Sequence, residues 1–328
     1  MAKTGRLCNS GIGGQAVIEG VMMKNGDVYG VAVRKPNGEI ETDTEVYHGI
    51  CAGSSLKKIP FIRGAFNFID AMILGMRSLT YSAKFYEDET AEETKTDHFL
   101  GKLFGDKAET VIMGITVTFS IILAIAIFMV LPFFLSSFFE KWVRNASVLA
   151  MIEGVIRLLI FLLYVVAITA MKDIRRVYMY HGAEHKCINC LERGHVLNVN
   201  NVRCSSRYHR RCGTSFLLFV MVVSIILFMF IRVDQPLLRL LLRLALIPVI
   251  AGISYEIIRW AGRSNNIVVR CLSIPGLLLQ RLTTKEPDDD MIEVAIKSVE
   301  AVFDWREFLG KNFDYPEYQT EQAEKQLD

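Results

Sequence analysis

VIMGITVTFSIILAIAIFMVLPFFLSSFF, residues 111–139, is the stretch that decides the fold, because it contains no charged side chain from end to end. The hydrocarbon core of a bilayer is about 30 Å thick, and a helix needs roughly 20 mostly apolar residues to cross it. This stretch exceeds that length, and core helices of soluble proteins are seldom so long and so apolar. It predicts a membrane-spanning helix.

Three further runs have a similar character: 147–171, 214–231 and 236–253. The last run is weaker, because Arg239 and Arg243 must reach the interface or pair, and Pro248 removes one backbone hydrogen bond. The chain is 52% hydrophobic with a net charge of only +2, so bulk charge gives no reason to expect a nucleic-acid partner. The sequence therefore predicts a mostly α-helical membrane protein with about four transmembrane helices.

The charges of the loops predict the orientation of these four spans, which occupy residues 111–253. The loop 172–213 carries nine Lys and Arg residues, and the short loops 140–146 and 232–235 hold three between them. Basic loops stay in the cytoplasm, so we expect the long loop there, and an even number of spans places both termini there too. The N-terminus has no apolar segment typical of a cleavable signal peptide. We expect a multi-pass protein of the cell membrane.

Four regions flank the spans. Residues 1–59 are expected to form a small β-rich cytoplasmic unit, in which PNG (36–38) separates two alternating runs typical of a hairpin. Residues 60–85 predict an amphipathic helix that lies on the membrane or packs on the helical bundle, and its few basic residues favour packing. An acidic linker is expected at 86–110, and cytoplasmic helices and a tail at 254–328.

YHGAEHKCINC, residues 180–190, carries the residues of greatest chemical interest. On a helix, His181 and His185 lie on one face a turn apart, so both imidazoles can reach one metal ion. Glu184 projects to the same side. The string fits H-x-x-E-H, the inverted zincin pattern, in which the glutamate acts as general base on water. The alternative is simple polarity at a helix end, and Gly182 weakens the helix that the metal hypothesis assumes.

Further ligands are available at the other end of the loop, where His209 and Cys212 are spaced i, i+3. The second and third spans should be antiparallel neighbours, so their cytoplasmic ends bring this pair to the first one. The competing ligand set consists of four thiolates: Cys187, Cys190, Cys204 and Cys212. Four thiolates close the coordination shell and staple a fold, whereas an imidazole-rich set can leave a position open for water.

Four motifs in this order around the spans resemble the YqhQ family of bacterial membrane proteins: GGQAVIEGVMM (13–23), YHGAEHK (180–186), RCGTSF (211–216) and EPDDDMIEVA (286–295). The family has no known function and is sometimes described as predicted metal-dependent enzymes. The resemblance covers nearly the whole chain. Residue by residue, the motifs fall on Gly13, Gly14, Gln15, Glu19, Gly20, His181, Glu184, His185, Lys186, His209, Arg211, Cys212 and Gly213.

The resemblance implies a bacterial membrane location and bears on the ligand set. Cys187, Cys190 and Cys204 fall outside the motifs, so it favours a metal site built from His181, His185, His209 and Cys212. Glu19 is either a further ligand or base, or a solvated turn residue. The metal is a divalent cation, and the thiolate ligand favours zinc.

Three functions follow from this site. The first is metal-dependent hydrolysis of a membrane-near lipid or peptide, with Glu184 as general base. The second is a non-catalytic, zinc-stapled membrane scaffold or regulator. A transporter is disfavoured, because the first and third predicted spans carry no ionisable residue to mark an ion path. The sequence does not indicate an oligomeric state.

Overall fold

The structure, a computed structural model, describes residues 7–50, 52–86, 108–231, 233, 235–261, 266–313 and 315. The chain divides into two compact units. The first comprises Met1–Tyr86, Ala167–Val220 and Pro248–Asp328, and the second comprises Glu87–Val166 and Met221–Ile247. The predicted acidic linker and the tail lie largely outside the described residues.

Helices make up most of the described chain. In chain order they are α1 Ile62–Ala83, α2 Ala108–Ile125, α3 Leu131–Ser137, α4 Ala146–Thr169, α5 Lys172–Glu192, α6 Val199–Cys204, α7 Gly213–Phe228, α8 Pro236–Ala245, α9 Ile247–Ala261, α10 Ile267–Thr283, α11 Asp289–Val302 and α12 Trp305–Phe313. A short 3₁₀ helix covers Ser55–Lys58, and a π-helical turn at Ala126–Val130 joins α2 to α3. The fold is therefore mostly helical, as predicted.

A four-stranded antiparallel sheet lies in the first unit, and its strands follow one another in sequence order. They are β1 Gly13–Val17, β2 Gly20–Asn25, β3 Val28–Arg34 and β4 Ile40–Val46. Strands β3 and β4 pair with Arg34 opposite Ile40, which confirms the hairpin predicted around the PNG turn. Gly38 in that turn has a φ of +89°, a conformation that glycine adopts without steric cost.

Helices cover both faces of this sheet. Helices α5 and α11 pack on one face, where the buried residues include Met23, Tyr180, Ile188 and Ile292. Leu74 of α1 joins the smaller core on the other face. Burying one such side chain contributes about 1.5–3 kcal/mol, so the first core fixes α5 and α11 against the sheet and the second fixes α1. Helix α1 thus packs on the sheet, a partner that the sequence interpretation, which expected the membrane or the helical bundle, did not name.

Helix α5 does not continue α4. The chain leaves the helical conformation at Met171, whose ψ is 131°, and α5 begins at Lys172. Asp173 in its first turn favours this start, because the N-terminus of a helix attracts negative charge. Gly182 is needed for close packing: a Cβ there would lie 2.0 Å from the carbonyl oxygen of Lys285. The H-x-x-E-H string therefore lies on a helix, although not on an extension of the second span.

Two of the described helical segments, Gly114–Ser137 and Ala146–Thr169, are long and apolar enough to cross a membrane. The segments Leu237–Ala245 and Ile247–Trp260 make a third candidate span if the pair, bent by 40°, crosses as one. Helix α7 is apolar but has only 16 residues, which is about 24 Å of helix and short of a bilayer core. The described residues thus contain two or three candidate spans rather than the four predicted.

A buried charge cluster lies in the second unit, where Glu153 pairs with both Arg157 and Arg243. An Arg157 guanidinium nitrogen lies 2.7 Å from Glu153, and the Nε of Arg157 donates to the carbonyl oxygen of Phe128 at 2.9 Å. Phe128 belongs to the π-helical turn. Arg243 therefore pairs with an acidic residue, one of the two outcomes that the sequence predicts for it. Arg239 donates a hydrogen bond to the carbonyl oxygen of Val233.

Candidate metal centre

The two histidines of α5 are oriented by carbonyl groups on their outer nitrogens. The Nδ1 of His181 lies 2.9 Å from the carbonyl oxygen of Thr283, and the Nδ1 of His185 lies 2.7 Å from that of Arg207. A carbonyl oxygen only accepts, so each neutral ring carries its proton on Nδ1 and keeps the lone pair of Nε2 free. Histidines that bind metals are fixed in this way.

Cys212 completes a group of three ligands. Its Sγ lies 3.2 Å from the Nε2 of His181, and one ligand atom from each of His181, His185 and Cys212 lies within 4.8 Å of the others. Two imidazole nitrogens and one thiolate are ligands that suit zinc, and three protein ligands leave a fourth position for water or substrate. The group could hold a metal ion.

The charges in this group favour a thiolate. Burial opposes ionisation of Cys212, but the charges of His181 and His185 and the hydrogen bond of His181 outweigh it and hold the pKa of the thiol well below its usual value. Burial lowers the pKa of His181, but the charge and hydrogen bond of Cys212 raise it above the ordinary value. A metal binds the thiolate rather than the thiol, so the site presents this ligand in the right charge state.

Two buried polar atoms support the fit of a metal or its ligands. The Nε2 of His185 and the Oε2 of Glu184 have no hydrogen-bond partner among the described residues. Leaving such an atom unpaired costs about 1–3 kcal/mol. Burial, the largest cause, raises the pKa of Glu184, although the nearby histidines lower it in part. A carboxylate with a raised pKa beside a metal site suits a general base.

His209, the fourth predicted ligand, lies beside this group and faces another residue. Its Nε2 lies 3.6 Å from a carboxylate oxygen of Glu192, and its ring centroid lies 5.7 Å from that of His185. The side chain of Gln280 accepts from the His209 backbone N–H at 2.9 Å and donates to its carbonyl oxygen at 2.7 Å. The structure therefore brings His181, His185 and Cys212 together, and it holds His209 next to Glu192.

Glu192 was not identified from the sequence, and its buried carboxylate contacts His209, Arg211 and Ser10 beside the site. It pairs with Arg211, and it accepts hydrogen bonds of 2.9 Å from both the backbone and the hydroxyl of Ser10. Burial raises the pKa of Glu192. Three partners outweigh burial and lower the pKa to about 2: the hydrogen bond and charge of His209, the charge of Arg211 and the Ser10 N–H. Glu192 lies seven residues after His185, so helical periodicity places it on the same face as the histidines.

The other motif residues have structural partners. Glu19 lies in the turn between β1 and β2 with a φ of +49°, and its carboxylate pairs with Arg176, so it is a turn residue with a protein partner rather than a member of the metal-binding group. Lys186 donates to the carbonyl oxygens of Arg203 and Ser205 at 2.9 and 3.0 Å, which ties α5 to the C-terminal end of α6.

The glycine motif lies opposite the H-x-x-E-H helix. A Cβ on Gly14 would lie 2.5 Å from the carbonyl oxygen of Met22 and 3.0 Å from the Cγ of Glu184, so only glycine lets β1 approach this closely. Gly20 is equally constrained, by the carbonyl oxygen of Ala32 at 2.4 Å. Gly13 and Gly213 have open space where a Cβ would be. A pocket of about 370 Å³ lies between these segments, and its lining includes Gly13, Gly14, Gln15, His181, Glu184, His209, Arg211, Cys212 and Gly213.

The competing four-thiolate set is not assembled. Cys187 and Cys190 are buried in the core between α5 and the sheet, and Cys204 is exposed. Among the described residues, the group with metal-binding geometry is the one made by His181, His185 and Cys212.

These features define the class: a mostly helical protein with apolar, membrane-compatible helices and a buried His/His/Cys group that could hold a metal ion. The chain belongs to the family described as "Protein of unknown function (DUF1385)", whose model matches residues 59–305. It is 35% identical over 292 residues to the "Uncharacterized protein YqhQ" of Bacillus subtilis (strain 168), covering 87% of this chain and 90% of that protein. The family resemblance seen in the motifs is thereby confirmed. No solved structure matches the chain.

Proposed function

We propose that this protein is an integral membrane metalloprotein that binds zinc through His181, His185 and Cys212. The observation that carries the proposal is the arrangement of the imidazoles: carbonyl groups occupy both Nδ1 atoms, and one ligand atom from each of His181, His185 and Cys212 lies within 4.8 Å of the others. Zinc prefers such a set, and orientation of the imidazoles by backbone carbonyls is typical of metal ligands.

The proposed location is the cytoplasmic side of a bacterial cell membrane, with both termini in the cytoplasm. The basic loop 172–213 supports this orientation. Four spans require that α7 cross the membrane together with the residues that follow it, as the apolar run 214–231 suggests. Three spans would leave one terminus outside.

The proposed activity is hydrolysis of an ester or amide in a membrane-near lipid or peptide. Bound zinc would act as a Lewis acid and make water more acidic. Glu184 accepts a proton from the attacking water while the water oxygen bonds to the carbonyl carbon. The same carboxyl passes the proton to the leaving alcohol or amine as the C–O or C–N bond breaks. The unpaired Oε2 of Glu184, buried against the pocket, supports this role.

A zinc-stapled scaffold is the second candidate. Cys212 precedes α7, and both histidines lie on α5. A metal would therefore crosslink two segments of the chain, since Cys212 lies 27 residues after His185. A staple needs the three ligands and is indifferent to Glu184. An enzyme needs the carboxylate as well.

Metal analysis of the purified full chain tests the proposal. We expect about one zinc per chain in the wild type and in Glu184→Gln, and a loss of most zinc in His181→Ala and His185→Ala. Unchanged metal in both histidine variants would overturn the site. The enzyme and the staple are separated by hydrolysis: Glu184→Gln should lower the release of fatty acid or of new amino termini from membrane substrates by about 10²-fold or more.

A further inference from the structure

A second cavity, of about 520 Å³, adjoins the metal pocket within the first unit. The two cavities share Gln15, Arg211, Cys212 and Gly213 in their linings. The second cavity extends from Cys212 along α1, and we call it the α1 groove. Its volume lies in the range of small-molecule sites, about 300–1,000 Å³.

The α1 groove is lined mainly by apolar side chains. Phe68 and Met72 of α1 face Phe216 and Leu217 of α7, and the rings of Phe68 and Phe216 lie 5.4 Å apart. Met72 is 56% exposed and Leu217 is 44% exposed, so the groove presents open apolar surface. Such a surface on a protein marks a binding site or contact with lipid.

The polar groups at the junction are already engaged. The side-chain amide of Gln15 donates to the carbonyl oxygen of Ala71 at 3.1 Å, and Arg211 pairs with Glu192. An extended peptide needs hydrogen-bond partners along its backbone, whereas the lining of the groove consists mainly of apolar side chains. An alkyl chain needs none.

We propose that the α1 groove binds an acyl chain of a membrane phospholipid, so that the ester at the head of that chain lies in the metal pocket beside Cys212. This inference rests on the proposed function for the chemistry and adds the substrate class. Two features favour a lipid over a soluble ligand: α9, which lines the groove through Tyr255 and Ile258, is half of a candidate span, and α7 is an apolar helix without a charged residue. Gly213 has open space at its Cβ position, and it lines both cavities at their junction.

The test uses the full chain in phosphatidylcholine nanodiscs that contain a small fraction of phosphatidylcholine with a diazirine in one acyl chain. After illumination, mass spectrometry maps the crosslinks. We expect crosslinks at the groove residues of α1 and α7. Ala71→Trp, which places an indole in the groove, should reduce them at least about fivefold. Ile69→Trp is the matched control, because Ile69 is also exposed on α1 but does not line the groove.

Met72→Trp provides a second groove variant on an exposed side chain, so that one poorly folded protein does not decide the result. Equal crosslinking in both groove variants and in Ile69→Trp would overturn the inference. So would displacement of the crosslinks by an added apolar 20-residue peptide but not by unlabelled phosphatidylcholine. Zinc content is measured on the same samples. Crosslinking at the groove without zinc would contradict the proposed function alone, and zinc without groove crosslinks would contradict this inference alone.

Discussion

The Nε2 of His181 lies 3.2 Å from the Sγ of Cys212, although 31 residues separate the two along the chain. Helix α5 supplies the histidine and the residue before α7 supplies the cysteine. The contact joins the two ends of the basic loop, which is the juxtaposition expected from antiparallel neighbouring spans. In this contact the Nε2 of the imidazole faces the sulfur, and the Nδ1 bonds a backbone carbonyl. This is the arrangement that a metal-binding histidine requires.

Cys212→Ser should weaken zinc binding at least about tenfold, because a hydroxyl is a poor zinc ligand compared with a thiolate. Competition with a chromophoric chelator measures the affinity. Cys204→Ser is the control, since Cys204 is exposed and lies outside the His/His/Cys group. If Cys204→Ser weakened zinc binding as much as Cys212→Ser, the four-thiolate set would be favoured instead.

Stability should fall at acid pH through Glu192. Its pKa in the folded protein, about 2, lies below the ordinary 4.5, so the ionised carboxylate stabilises the fold fully above about pH 4.5. This contribution, about 3 kcal/mol, is lost as the pH falls from 4.5 towards 2. Denaturant unfolding of chelator-treated protein between about pH 3 and about pH 7 gives the slope of the unfolding free energy against pH.

Glu192→Gln should remove this part of the pH dependence and lower stability at neutral pH. Glu293→Gln serves as the control, because its carboxylate is exposed on α11 and has Arg34 as a surface partner. An identical slope of unfolding free energy against pH in the wild type and in Glu192→Gln would contradict the assigned role.

Glu153→Gln should destabilise the helices of the second unit by about 3–5 kcal/mol, because Arg157 and Arg243 would lose the buried carboxylate that they share. Unfolding in mixed detergent micelles measures the change. Arg239→Gln is the control from the same region, since Arg239 is less buried and bonds a backbone carbonyl. A change in Glu153→Gln no larger than that in Arg239→Gln would show that the cluster contributes little.

Membrane topology can be tested with cysteine labelling in intact cells. A variant with Cys8, Cys51 and Cys271 replaced by serine keeps the exposed Cys204 as its target. We expect a membrane-impermeant maleimide to label Cys204 only after permeabilisation. In a matched protein that also carries Cys204→Ser, Lys141→Cys should be labelled in intact cells, because the loop 140–146 is predicted outside. The reverse pattern would invert the proposed orientation.

Local sequence signals predicted much of the fold and part of the site. Long apolar runs identify α4 and the α2–α3 segment, and the i, i+4 spacing of His181 and His185 places both on one helix face. The PNG turn predicts the β3–β4 hairpin. These features depend on residues close together in sequence, which is why periodicity reveals them.

Tertiary contacts decided the remainder. Nothing in the spacing of His209 and Cys212 indicates that one faces Glu192 while the other joins the histidines. Glu19 was expected to be a ligand or a solvated residue, but Arg176 on α5 pairs with it. Hydropathy also does not show where a helix ends. It therefore did not predict that α4 ends at Thr169 or that α7 has only 16 residues.

X-ray absorption at the zinc edge of the purified full chain tests the central claim most directly, because it counts the ligands by element. The account predicts two imidazole nitrogens at about 2.0–2.1 Å and one sulfur at about 2.3 Å, with one further light atom. Loss of the sulfur shell in Cys212→Ser would complete the assignment. A shell of four sulfurs, or one with no sulfur at all in the wild type, would contradict it.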